Sequence, residues 1–522
     1  MHGSGSARVY LKKEKPKKRS ELTGKKIRWL HAYGDLYSIG MLNIGYQLIW
    51  DLLLKHGNVF VDRIFRGMDR SLQEEMAPEE FDVISFTIPY ESVFLNILEM
   101  LDEWGIEKNN KERESPLIIF GGFAPTYNPA IYSSIADIIF IGDDLQAIDS
   151  LLERIEKNWN EEKKDLLIKV GNLKGVFSST LYSAKRFQEP TKPKDLRLPK
   201  VIEGAFADRP SYSLEFVTSS NYIEEYKNYS LLEISRGCPH RCLFCALSHV
   251  YKPLFREKEE ILSELKKTRK ITDKVRFISS SEAEHKDFGE IIRVAKEKLK
   301  FSEIRIGSQR ADALIKNQKL LSYVTYDTIT LAPETGERLR FALGKKIPDN
   351  LFVKSAEISS KLGKNISVFT IVNFPLEKEK DLQQLRNLLE NIHEVVKKYD
   401  MEMNVYINNF MPMPRTPLQY ERLSSYGEFL EKVRLLEGPW QLSKMEEWQV
   451  TVIGTLERGD YVLSESISKE DNVDKLLRES FEKYRGPYSL YKPLSWEVAK
   501  VGLPRKYLIE RRRKYYEELG YF

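Results

Sequence analysis

Cysteine is nearly absent from this chain. Three occur among 522 residues, all within Cys238-Pro-His-Arg-Cys242-Leu-Phe-Cys245. An odd number of thiols, in a chain long enough to bury a core without staples, excludes a disulfide framework. Long apolar runs are missing too: no stretch of roughly eighteen such residues is present, so no membrane-spanning helix is expected. Neither sign of charge dominates, since 82 Lys and Arg face 77 Asp and Glu for a net charge of +5. That balance does not by itself name nucleic acid as a partner. The Gly/Ser-rich start, Met1 to Ser6, and the basic Lys12–Lys26 segment lack the apolar centre of a signal peptide, so a cytoplasmic protein is expected. With 42% apolar and 30% charged residues, a globular protein of two to four domains is expected.

What is present follows from the one place where cysteine is spent. Three thiols at C-x3-C-x2-C build a soft-ligand metal site, and thiolates select zinc, copper(I) or iron–sulfur clusters. A closed structural zinc takes four protein ligands, and only three thiols exist here. Three thiolates on a four-iron cluster leave one iron open to a small molecule. The bland alternative is a zinc loop completed by His240 or His249, although the spacing differs from the C-x2-C pairs of zinc ribbons.

Along the chain, three blocks and a connector emerge. Residues 26–155 alternate short apolar strands with helical segments. Lys26–His31, Val59–Arg63, Phe81–Thr87, Leu117–Phe120 and Ala136–Gly142 read as strands, and Leu42–His56 and Glu91–Trp104 as helices. That order implies an α/β, Rossmann-like, doubly wound parallel sheet with ligand loops at the strand carboxyl ends. Residues 156–230 are a polar connector. Residues 231–435 repeat the alternation, with strands expected at Leu231–Ser235, Val275–Ser279, Glu303–Ile306, Thr328–Ala332, Ser367–Val372 and Met403–Asn408. Six such units suit a partial (β/α)6 TIM-like barrel, whose catalytic groups belong at the strand carboxyl ends. Residues 436–522 form a mixed C-terminal block that includes the basic run Arg505–Lys514. The basic segments have a bland reading as solvated faces and a sharper one as attraction to phosphate on RNA or lipid.

The cysteine loop, with aromatic Phe244 before the last cysteine, resembles the signature of the radical S-adenosylmethionine (SAM) superfamily. The resemblance implies a 4Fe-4S cluster on Cys238, Cys242 and Cys245. Its open iron chelates S-adenosyl-L-methionine, and an electron from an external donor of ferredoxin or flavodoxin type splits SAM to a 5′-deoxyadenosyl radical. It further implies SAM contacts from the loops that end successive barrel strands: Ser280, Ser281 and Glu282, then Ser308 and Arg310, then Glu334, then Asn373 where glycine is common. Phe244 belongs to the same set. Phe410-Met-Pro-Met-Pro-Arg-Thr-Pro417 resembles the segment that closes such barrels, and Glu457-Arg-Gly-Asp460 resembles the tail of an uncharacterised group with this domain order.

The first block resembles the cobalamin-binding-type domain that precedes many of these barrels. The matching places are Gly40, Met41 and Gly45, Ser85 and Thr87, Gly121 and Gly122, and Gly142. No Asp-x-His-x-x-Gly occurs, and of the histidines only His31 and His56 lie in this block, so no lower cobalt ligand is offered. The resemblance allows cobalamin without one; equally, the block serves as a docking or substrate domain. With no thiol left for a second cluster, cluster-based sulfur insertion is not expected. The expected reaction is hydrogen abstraction from an unactivated carbon followed by methyl transfer. Coupling of lipid hydrocarbon chains and RNA modification are alternatives, as is a non-catalytic iron–sulfur protein. The substrate is a small molecule, a lipid or an RNA.

Overall fold

A computed structural model describes residues 10–11, 14, 18–208, 229–325 and 327–521. Part of the basic Lys12–Lys26 segment and much of the connector's end lie outside these residues.

The first sheet has six strands. They are β1 (Ile27–Tyr33), β2 (Val59–Phe65), β3 (Val83–Thr87), β4 (Leu117–Gly121), β5 (Ile138–Phe140) and β6 (Val176–Phe177), in the order β2-β1-β3-β4-β5-β6. All neighbours are parallel except β5 and β6. β1 and β2 are buried on both faces apart from Arg28. This is why they read as continuous apolar runs rather than alternating ones. The flanking helices are α1 (Ile44–Leu54), α2 (Glu91–Glu103) and α3 (Leu145–Lys157). Asn43 starts α1 by accepting from the Tyr46 N–H at 2.9 Å, and Asp144 starts α3 in the same way through Gln146. The chain reverses direction across the sheet between β1 and β3, so the loops after those strands face one crevice. β6 comes from the expected connector, which therefore supplies an edge of this sheet.

Two more parallel sheets follow. One holds β7 (Tyr229–Glu233), β8 (Lys274–Ile278) and β9 (Glu303–Arg305). The other holds β10 (Thr328–Glu334), β11 (Asn365–Val372), β12 (Met403–Asn409) and β13 (Gln441–Lys444). The outcome is an α/β chain of parallel sheets. The six strands expected to make a barrel lie in two separate sheets of three and four strands, and β13 adds to the second beyond residue 435, where the sequence pattern placed the end of the core. Gln441-Leu-Ser-Lys444 is too short and polar to announce itself as a strand.

Both groups bury one face against helices. Val275, Phe277 and Ile304 pack with the helices of the first group, and Ile329, Leu331, Val368, Val405 and Ile407 with those of the second. The alternate residues turn to the opposite face of each sheet. Among the described residues no helix is long and apolar enough to cross a membrane.

Candidate active site

The cysteine loop leaves the carboxyl end of β7. Gly237 makes the exit at φ 70°, and a Cβ there would stand 2.4 Å from the Lys252 carbonyl oxygen. Only glycine satisfies both conditions. Cys242 is buried, Cys238 and Cys245 partly so, and all three are free thiols. Burial pushes the Cys242 thiol up to about 12 and the Cys245 thiol up as well. Without a metal the loop holds these two as neutral thiols, so loading it must release protons.

Each histidine of the zinc alternative is held at one ring nitrogen by a group other than a thiol, and His249 Nε2 is buried without a hydrogen-bond partner. His240 Nε2 pairs with Glu284 Oε1 at 2.8 Å. His249 is buried with Nδ1 against the Cys245 carbonyl oxygen at 2.9 Å, and burial pushes it down to about 4. Among the described residues no three His, Cys, Asp or Glu side chains are grouped to hold a single metal ion.

The strand-end residues divide into those that face the loop and those that brace it. Ser280 Oγ donates to the Gly237 carbonyl at 2.5 Å. Ser281 Oγ is buried without a hydrogen-bond partner. Glu282 is fully buried, and burial raises its pKa. Both its oxygens are taken, by the Gly307 N–H at 2.8 Å and by Gln309 Nε2 at 2.5 Å. It therefore clamps the β8 loop to the β9 loop. Ser308 is exposed. Arg310 forks onto Asp312 at 2.9 Å and approaches Glu284 at 3.6 Å. Through Glu284 and His240 it is tied to the cysteine loop, a bridge that sequence spacing did not disclose.

Glu334 takes positive φ (65°) at a register shift in β10 and accepts from Lys345 Nζ at 2.7 Å. The Lys345 charge acts on Cys242 and favours its thiolate. Lys345 was missed because it follows a helix rather than a strand. Asn373, where glycine was expected, also has positive φ (66°). Asparagine tolerates this conformation best among non-glycine residues. Its N–H donates to Glu377 Oε2 at 2.9 Å and its side chain to Asn409 Oδ1 at 2.8 Å. Phe244 packs on Phe374 of this turn, ring centroids 5.4 Å apart.

A cavity of about 350 Å³ lies between the crevice of the first sheet and the cysteine loop. Gly45, Ser85, Thr87, Gly121, Gly122 and Gly142 line it from the sheet side, and Arg236, Leu247 and Tyr251 from the cysteine-loop side. Gly142 is held at φ 127°, and a Cβ there would stand 1.7 Å from the Ala205 carbonyl oxygen. Gly40 and Met41 do not line this cavity. Gly40 is pressed against the Phe65 ring, which a Cβ would meet at 2.5 Å, and Met41 is buried with its sulfur accepting from Arg63. Both are packing residues behind the crevice. Arg236 pairs with Asp143 at 2.5 Å and with Glu233 at 2.8 Å, fastening the sheet's last loop to the cysteine loop.

His31 reaches the cavity wall with both ring nitrogens occupied. Trp29 Nε1 donates to Ser85 Oγ at 2.8 Å, and Ser85 lies 2.9 Å from His31 Nδ1. His31 Nε2–H donates to the Tyr46 carbonyl at 2.9 Å. Burial pushes its pKa down to about 3. His56 follows α1, at the opposite end of the sheet, and pairs with Asp149 and Glu156.

The tail motif is structural. Arg458, fully buried, donates to the carbonyls of Tyr484, Glu421 and Gly486. Asn128 Nδ2 donates to the carbonyls of Glu457 and Gly459, both at 3.0 Å. Along the helix Arg505–Glu518, Arg505, Arg512, Arg513 and Lys514 are paired with Glu497, Glu421, Glu517 and Glu510. The basic run is thus largely neutralised.

Two family descriptions match this architecture: "Radical SAM proteins, N-terminal" over residues 45–178 and "Radical SAM superfamily" over residues 232–389. The chain belongs to the radical SAM superfamily and is an enzyme of that class. An uncharacterised protein of Methanocaldococcus jannaschii, MJ0966, is 28% identical over 370 residues, which cover 69% of this chain and 74% of that protein. Among solved structures, TsrM from Kitasatospora setae is similar with a TM-score of 0.52 at 10% identity, covering 87% of this chain and 100% of that one. That structure is described as a radical S-adenosylmethionine methyltransferase with cobalamin and a 4Fe-4S cluster bound. The likeness is one of fold.

Proposed function

We propose that this chain is a SAM-cleaving enzyme that abstracts hydrogen from an unactivated carbon and passes a methyl group to it with the help of cobalamin. The observation that carries the reading is the cavity shared by the crevice of the first sheet and the cysteine loop. A corrin seated there would lie beside the iron–sulfur site.

Cys238, Cys242 and Cys245 would hold three irons of a 4Fe-4S cluster. The donor set fits: three soft ligands on one loop, not grouped with a histidine or carboxylate for a single ion among the described residues. When bound, the cluster supplies the electron that splits SAM into methionine and a 5′-deoxyadenosyl radical. Ser281, whose hydroxyl is buried without a partner, would receive SAM at the end of β8. Glu334 and Asn373, both held at positive φ, would present polar groups to SAM from the ends of β10 and β11. Glu282 and Arg310 would act one step back, fixing the loops that touch it.

For cobalamin, the glycines that line the cavity allow backbone to approach a flat ligand, and the largely apolar lining of Trp29, Phe120, Phe123 and Leu152 suits its unsolvated surfaces. When bound, cobalamin supplies a methyl carrier. The domain limits proposed are a cobalamin-type unit over 26–155 completed by β6, and a barrel core over 229–444. An external ferredoxin- or flavodoxin-type donor would deliver the electron, because no thiol remains for a second cluster.

The test is anaerobic reconstitution with iron, sulfide and hydroxocobalamin, followed by gel filtration and incubation with SAM and dithionite. About four irons per chain, a retained corrin spectrum and 5′-deoxyadenosine are expected. Cluster without 5′-deoxyadenosine would sink the radical reading. 5′-Deoxyadenosine without retained corrin would remove the methyl-transfer step alone.

A further inference from the structure

The short helix Glu337–Ala342 ends in a turn that brings Lys345 back onto the cysteine loop. Gly344 takes φ 87°, its N–H donates to the Phe341 carbonyl at 3.0 Å, and the Lys345 N–H donates to the Arg340 carbonyl at 3.1 Å. This pair of bonds closes a helix on a left-handed residue and satisfies carbonyls of its last turn. The segment then lies against the loop on both sides of Cys242. The Leu243 N–H donates to the Leu343 carbonyl at 3.0 Å, and a Cβ on Gly344 would stand 3.3 Å from the Arg241 carbonyl oxygen. From there Lys345 Nζ reaches Glu334 Oε1 at 2.7 Å, and each side chain keeps only 12% of its surface.

Arg340 fixes both partners of this ion pair. It is fully buried, and its guanidinium donates to the carbonyls of Thr335 at 2.9 Å, Pro333 at 3.4 Å and Ile347 at 2.9 Å. The carbonyls on either side of Glu334 and one just beyond Lys345 therefore hang on one side chain, whose own charge is met by Asp349. An ion pair this buried adds little stability, because desolvation offsets the attraction. Its orientation gives it another use. Burial is the largest influence on Cys242, and among the charges Lys345 acts on that thiol more strongly than Glu334 does. A four-iron cluster on three thiolates is anionic, an added electron makes it more so, and its potential follows the charges around it.

Resting on the radical SAM reading above, we infer that Lys345 is the counter-charge of the cluster site, held against Cys242 by Glu334 and Arg340, and that the balance between Lys345 and Glu334 sets the cluster's reduction potential. Lys345 acts through the Cys242 sulfur, so it is a positioning residue. Its charge favours the reduced cluster and that of Glu334 opposes it, so neutralising one or the other must move the potential in opposite directions.

The experiment reconstitutes the full chain anaerobically with iron and sulfide and checks for about four irons per chain. The cluster is then titrated without SAM, dithionite supplying one electron per cluster through mediators, and the reduced form is followed by electron paramagnetic resonance. Lys345→Met is expected to make that one-electron reduction about tenfold less favourable, a midpoint about 59 mV lower. Lys345→Arg should stay near the wild type because the charge remains, and Glu334→Gln should raise the midpoint. A merely structural role would not produce shifts of opposite sign. If Lys345→Met fails to retain iron, retention by Lys345→Arg together with a raised midpoint in Glu334→Gln upholds the inference. Unchanged midpoints in Lys345→Met and Glu334→Gln, shifts of the same sign in both, or loss of iron from Lys345→Arg as well as from Lys345→Met overturns it. Formation of 5′-deoxyadenosine by the wild type is followed separately. Its absence from cluster-loaded protein counts against the radical reading, while the midpoints, measured without SAM, still decide the role of Lys345.

Discussion

At the residue scale the histidines are the most informative side chains, because they could have changed the chemistry and do not. His31 sits at the wall of the cavity, where a cobalt ligand would be sought. The hydrogen-bond chain assigns its protons: a carbonyl only accepts, so Nε2 carries the hydrogen toward Tyr46, and Nδ1 spends its lone pair on the Ser85 hydroxyl. Freeing either nitrogen would leave a buried donor or acceptor without a partner, at about 1–3 kcal/mol. Cobalamin bound here should therefore receive no nitrogen from the protein. Labelling all histidines with 15N should leave the electron paramagnetic resonance spectrum of the bound cob(II)alamin unchanged, and a changed nitrogen splitting would contradict the hydrogen-bond assignment. Glu282 teaches a similar lesson. Its position at a strand end marks it as a ligand-binding acid, yet both oxygens hold protein donors and clamp two strand-end loops together.

At the element scale, Arg236 ties the first sheet to the cysteine loop by charge, beside the stacking of Tyr251 on Phe123. Arg236 bridges Glu233 at the end of β7 and Asp143 after β5, and Asp143 also accepts from the Ala207 N–H at 3.1 Å. Asp143→Asn keeps the shape and the Ala207 contact but removes the charge facing Arg236. Breaking a largely buried pair is costly, though here the Glu233 partner remains. Corrin affinity after reconstitution is expected to fall about tenfold, with iron content unchanged. Equal loss of iron and corrin would mean that the loop itself had collapsed. Much of this arrangement was legible in the sequence. Continuous apolar strands announced the first sheet, and six of the eight residues assigned to cobalamin loops meet at one cavity, because glycine at a strand's carboxyl end marks close backbone approach. Gly40 and Met41 failed because a glycine against an aromatic ring gives the same local pattern as one facing a ligand. The bracing residues His240, Glu284 and Lys345 were not legible as a set. Their partners lie on other strand ends, and pairing at that separation leaves no periodic trace. β13 was lost for the opposite reason: its four residues carry no apolar alternation.

At the scale of the whole molecule, the C-terminal block is docked on the first sheet through a buried pair of acids. Glu91, at the start of α2, and Glu457, in the tail motif, are both buried. Tyr127 donates its hydroxyl to Glu457 Oε1 at 3.2 Å, while Glu457 Oε2 has no hydrogen-bond partner. The adjacent guanidinium of Arg458 favours the charged form of Glu457 only weakly against that burial. Burial, and for Glu457 also the neighbouring carboxyl, raises both pKa values above the usual 4.5, that of Glu91 to about 7. The folded chain thus binds more protons than the unfolded chain from about pH 4.5 upward, and stability must fall as pH rises through this window. The stabilising contribution is complete below the unfolded value and is lost as the folded pair ionises. Glu457→Gln removes one of the two acids while keeping an acceptor for Tyr127. Each proton released on unfolding tilts stability by about 1.4 kcal/mol per pH unit, so between pH 5 and about 8 the variant's denaturation midpoint should depend on pH less steeply by an amount approaching that slope. The variant should equal or exceed the wild type near pH 8, where the wild type must strip or retain the shared proton at a cost. Parallel stability–pH curves for the two proteins would show that the acids are solvated in solution and that the C-terminal block does not close over them.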